Sequence, residues 1–180
     1  MRQPQRVLFR GPNCEETLDP TPDELFAVMA LPYDEHWEYQ PVAELRWHDP
    51  AAPNGNGDRR EPSAQLILIR HPDWGWYFEY NRPSGPAGAG EWLAPLDPAG
   101  PPGHSLHWCW GDTQWYRAAS FVPEEPSRLV VADFMETGRP SPAVAWASAV
   151  DIESRLQPDE YAERYGSAHD APGASPGSER

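Results

Sequence analysis

Apolar side chains in this chain recur at two periods. Spacing of three and four residues marks helices, and alternation marks half-buried strands. Helical spacing is clearest over Glu124–Thr137, where Val130, Val131, Phe134 and Met135 form one stripe. Pro123 suits a helix's first turn, where its missing N–H has no helical partner anyway. Glu124 and Glu125 suit the positive end of the helix dipole. Gly138 stands where a left-handed residue closes a helix, and Pro140 blocks continuation. A second helix is predicted from Thr21-Pro22-Asp23-Glu24, a capping box with proline at the first helical position. Leu25, Phe26, Val28 and Met29 supply its buried face, and Pro32 ends it.

Alternation marks the strands. Residues 7–9 read as a short first strand. In 42–48, Ala43, Leu45 and Trp47 face one way and Glu44 and Arg46 the other. The apolar run 65–70 reads as a central strand. After the Pro72-Asp73 turn, 74–80 places Trp74, Trp76, Phe78 and Tyr80 on one face and Tyr77 and Glu79 on the other. In 105–110, Leu106, Trp108 and Trp110 alternate with His107 and Cys109. Gly111-Asp112 then turns the chain, so that 115–121 pairs back as a hairpin. Residues 143–149 read as a last strand, with Val144 and Trp146 on one face. Between these, 33–39 reads as a surface loop and 50–62, with Asn54-Gly55-Asn56-Gly57, as a turn or flexible loop. Residues 82–103 read as a long Pro/Gly/Ala-rich loop, holding at most a short edge strand at Glu91-Trp92-Leu93.

The fold class expected is therefore α+β: a mainly antiparallel sheet of about six strands with two helices packed on one face. One domain over 1–165 suits the length of 180 residues. Its end, 151–165, carries weak helical spacing interrupted by Pro158. Residues 166–180 have the small, polar composition of a disordered tail.

Charge changes the picture. Net charge is −14, from 28 acidic residues and 14 basic ones. All the basic residues are arginine, which together with 23 prolines suggests a GC-rich genome. So acidic a surface repels phosphates and argues against direct nucleic-acid binding. It suits a basic protein partner, and equally it keeps a protein soluble. The two cysteines, Cys14 and Cys109, lie far apart; paired or free, they have no metal-type spacing. No apolar run is long enough for a membrane helix or a signal peptide, so the expected location is the cytoplasm.

Candidate chemistry is sparse. No His-Glu-x-x-His or Cys-x-x-Cys pattern is present, and His104 and His107 fall on opposite faces of a strand. Ser105, Ser120 and Ser127 lack a nucleophile-elbow setting, and Gly85–Gly90 lacks the lysine of a phosphate loop. The reading is not an enzyme, with no metal and no cofactor. Nine tryptophans need an account, since Trp favours interfaces as well as cores. Trp47, Trp108 and Trp146 alternate with polar residues inside strands and read as core. Trp74, Trp76 and Trp92 flank turns and read as core or binding face.

From Trp115 to Trp146 the order is an aromatic strand, Phe-Val-Pro-Glu-Glu, a helix ending Phe-x-x-Thr-Gly-Arg-Pro, then Val-x-Trp. This resembles the C-terminal half of the first-described immunity protein family of bacterial polymorphic toxin systems. The matching positions are Trp115, Val122, Pro123, Phe134, Thr137, Gly138, Arg139, Pro140, Val144 and Trp146. The resemblance implies a protein that neutralises a cognate toxin, often a nuclease or nucleic-acid deaminase, by tight non-catalytic binding. A basic substrate groove on such a toxin would attract an acidic inhibitor. With the helices committed to the sheet, the contact face is expected around Trp74, Trp76, Glu79, Trp92, Asp112 and Trp115. The alternative is a glycan- or peptide-binding module that uses Trp74, Trp76 and Trp92 as a stacking platform.

Overall fold

The computed structural model describes residues 7–38, 40–49, 62–84, 90–100, 104–109 and 112–149, with the backbone alone for 104–109 and 112–115. Its fold is α+β. Strands β1 (Val7–Arg10), β2 (Glu16–Leu18), β3 (Val42–Trp47), β4 (Ala64–His71), β5 (Gly75–Arg82), β6 (Glu91–Pro95) and β9 (Trp146–Ser148) make one antiparallel sheet. Their order is β2-β1-β3-β4-β5-β6-β9. Strands β7 (His104–Cys109) and β8 (Asp112–Arg117) pair as a separate two-stranded ladder. No helix among the described residues is long and apolar enough to cross a membrane.

Two helices pack on one sheet face. Helix α1 (Pro22–Met29) starts in the capping box: Thr21 N–H donates to the Glu24 carboxylate at 2.7 Å, and Glu24 N–H donates to the Thr21 hydroxyl at 3.3 Å. The Thr21 backbone N–H, then its hydroxyl, hold the Glu24 carboxyl below its ordinary value. Helix α2 (Glu124–Thr137) ends at Gly138, which adopts φ 65° and donates its N–H to Phe134 O at 2.8 Å. A Cβ there would fall inside the Trp47 indole, so conformation and packing both require glycine. Leu25 and Met29 of α1 and Val130, Val131 and Phe134 of α2 join Leu45, Leu66, Leu68, Trp76, Phe78 and Tyr80 in the main core.

Among the described residues, the opposite sheet face carries its apolar cover at one end. There Val42, Ile69, Tyr77 and Ala94 pack beneath Tyr116, Phe121 and Trp74 in a second cluster. Tyr77 meets Tyr116 edge-on at 4.6 Å between ring centres.

Several expectations are corrected. Seven strands and two helices fit the expected class, but β2, all exposed, carries no apolar signal, and Glu91–Pro95 is an internal strand between β5 and β9 and not an edge strand. The predicted hairpin forms, outside that sheet; its second strand ends at Arg117 in a short 3-10 turn, Ala118–Ser120. The last strand shortens to Trp146–Ser148. Residues 33–37 form a π-helical turn that buries Trp37 edge-on against Trp76, 4.9 Å between centres, where a surface loop is predicted. The predicted loop at 50–61, the weak helix over 151–165 and the tail over 166–180 lie outside the described residues.

Candidate interaction face

Among the described residues, no apolar cluster covers the rest of the helix-free sheet face, which makes it the candidate surface to meet a partner. Residues directly opposite one another in an antiparallel ladder share a face. The register therefore sets Leu18, Leu8, Arg46, Gln65, Asn81 and Trp92 in one row across six strands. A neighbouring row holds Glu16, Arg10, Glu44, Ile67 and Glu79. Leu18 (59 % exposed) and Trp92 (36 %) end the first row. At about 4.8 Å per strand, they lie roughly 24 Å apart. That is an apolar contact at each end with a polar middle.

One charge on this face is buried. Glu44 is 2 % exposed. Its carboxylate accepts from Arg46 Nε and, at 2.8 Å, from Arg46 Nη2, and the Gln65 amide donates to it as well. Glu44 and Arg46 are two apart on one strand, so they point the same way. Gln65 stands directly opposite Arg46. The Glu44 hydrogen bond holds the Arg46 guanidinium above its ordinary pKa, against the opposing effect of burial. The pair thus places a hydrogen-bonded, mutually compensated ion pair at the middle of the face.

An acidic band borders the face at the β2 edge. Residues 11–45 contain no Arg or Lys. Glu15, Glu16 and Asp19 lie at or beside β2, while Asp23 and Glu24 at the start of α1 and Asp34, Glu35 and Glu38 of the π-helical turn belong to elements that pack on the helix-bearing side; all are exposed. Gln40 Nε2 donates to Cys14 Sγ at 3.2 Å, joining the loops that carry Glu15 and Glu38.

Of the residues expected to make contact, Glu79 and Trp92 share this face. Trp76 does not: it is wholly buried in the main core, its Nε1 donating to Glu124 at 3.0 Å, so its ring is not available as an anchor. Trp74 is also displaced from the face predicted for it. Gly75, at φ 94°, starts β5 only after the turn, and Trp74 stacks on His71 at 4.4 Å beside Phe121. Asp112 and Trp115 lie on β8, next to the strand residues that carry Tyr116 onto the second cluster. Trp74, Trp76 and Trp92 thus form no single platform. From the His71–Gly75 pair to the Asn81–Trp92 pair is six residues of β5, about 20 Å.

Sequence reasoning places Glu44 on a solvent side and misses its burial. The signal was the Glu-x-Arg spacing on one strand face. Glu124 is a first-turn charge of α2 as read, and it also accepts from Arg70 Nη1 at 3.1 Å, joining the helix start to the sheet. Arg70 sits over the Trp76 ring at 4.9 Å. Burial and nearby Glu38 push the adjacent Tyr33 phenol up, with Arg70 opposing. Among the described residues, no three His, Cys, Asp or Glu side chains are arranged to hold a metal ion. Compared with protein-family models, curated proteins and solved structures, the chain matches none.

Proposed function

We propose that this protein binds and neutralises a cognate bacterial toxin, with the open sheet face as the contact surface. The observation that carries the reading is the juxtaposition of that face with the acidic band at its β2 edge. Negative charge along one side raises the encounter rate with a basic groove, while apolar ends and a polar middle supply short-range fit. Toxins that act on nucleic acids carry such grooves, and an occupant of the groove competes with the nucleic acid. The inhibitor contributes no chemistry of its own and acts in the cytoplasm, where such a toxin would strike. The resemblance of Trp115–Trp146 to an immunity family points the same way.

The test is co-expression. Cells expressing a candidate cognate toxin domain are expected to survive only when this protein is present. Survival that does not depend on it overturns the reading. A second reading has one observation in its favour: Trp92, an exposed indole, stands in line with the Asn81 and Gln65 amides, a combination that suits the apolar face and hydroxyls of a sugar. Saturable chemical-shift changes at Trp92 on titration with oligosaccharides, without toxin protection, would favour it.

A further inference from the structure

A separate cleft of about 290 Å³ opens where the end of β6, the 3-10 turn, the start of α2 and the segment before β9 meet. It stands at the lower end of small-ligand sites, which run from roughly 300 to 1,000 Å³, and so suits one side chain better than a large molecule. Its walls are apolar and short of hydrogen-bond donors. Pro95, Pro98, Pro123 and Pro126 line it, and proline has no N–H. The N–H groups of Leu96, Asp97, Phe121, Val122 and Ala143, also in the lining, are already donated within the fold. Beside the backbone N–H groups of Ala119, Val144 and Ala145, the lining offers apolar surface, acceptor oxygens and one carboxylate, Asp97, which is exposed and accepts from Ala99 N–H through Oδ1 at 2.9 Å. The start of α2 borders the cleft with the positive end of its dipole, which the exposed Glu125 of the first turn offsets.

We infer that this cleft receives the side chain of an arginine or lysine from a basic protein partner, its alkyl stem against the prolines and its cation at Asp97. Such a group brings donors and positive charge to a cleft whose one charged lining side chain is the Asp97 carboxylate. The identity of the partner rests on the toxin-binding reading; the chemistry of the cleft does not. A cleft that takes one cationic anchor would add a second contact point, distinct from the sheet face.

The experiment titrates the isotope-labelled, full-length protein with n-butylguanidinium and, separately, with butyrate, following amide and methyl resonances by NMR. Expected are saturable shifts at Leu96, Ala119 and Val144 with butylguanidinium and none with butyrate. Asp97→Asn keeps the acceptor for Ala99 N–H but removes the charge, and should weaken binding roughly threefold, the scale of an exposed ion pair. Ala145→Leu should abolish binding by filling the cleft. No saturable shift, equal shifts with butyrate, or unchanged affinity in Asp97→Asn overturns the inference. None of these outcomes depends on whether the protein protects cells from a toxin.

Discussion

Replacing Arg46 by Met tests the ion pair at the centre of the open face. Methionine keeps much of the arginine stem while removing both N–H groups that Glu44 accepts from. Glu44 stays buried at 2 % exposure, with the Gln65 amide still donating to it. Removing one partner of a buried pair costs roughly 3–5 kcal/mol, because the other charge is left without compensation. Gln65 remains, and Arg46 is itself half-buried, so the lower end applies, about 3 kcal/mol. Glu44→Leu combined with Arg46→Met removes both charges and should cost about 1 kcal/mol or less, since apolar replacements of whole buried pairs are often neutral. Urea unfolding followed by tryptophan fluorescence measures both, at an unchanged m-value. If Arg46→Met lies within about 0.5 kcal/mol of the parent, or the double variant is no better than the single one, the ion pair is not held as argued.

Phe134→Ala removes a ring packed edge-on against Tyr80 at 6.2 Å and should cost about 3–5 kcal/mol, read from the same unfolding curves. Gly138→Ala meets both the left-handed φ and the Trp47 ring. It should cost about 2 kcal/mol or more, seen as a melting point lower by roughly 4–8 °C. The Glu24 carboxyl is depressed by its capping bonds. Its contribution is therefore present above the ordinary carboxyl value of 4.5 and fades as pH falls through the lower folded-state value. Glu24→Gln should flatten that part of the stability–pH curve, and an unchanged curve would refute it.

Elements with local signals were legible in the sequence. The Thr21–Glu24 box, the α2 stripe and Gly138 act within a few residues, and each element forms where its pattern places it. Trp76, Phe78 and Tyr80 alternate, and they do share the helix-side core. What the pattern could not supply was partnership across the chain. Glu91–Leu93 reads as at most a short edge strand in a loop because its internal position depends on β5 and β9 flanking it. Trp37 reads as surface because only the approach of β5 buries it. Trp74 leaves the face of its neighbours because Gly75 turns the backbone before the ladder begins. The open face is a product of register: Leu18 and Trp92 are far apart in sequence, and only six paired strands bring them into one row.

The most direct measurement is isothermal titration calorimetry of a candidate cognate toxin domain against the parent protein, Trp92→Ala and Leu129→Ala. Trp92 ends the row on the open face, whereas Leu129, 56 % exposed, lies on α2 on the opposite side of the sheet. The account predicts one-to-one binding whose association slows as salt rises. It predicts a loss of about 2 kcal/mol, close to thirtyfold in Kd, for Trp92→Ala, and no loss for Leu129→Ala. No heat of binding to the parent protein, or equal weakening by the two variants, would contradict it.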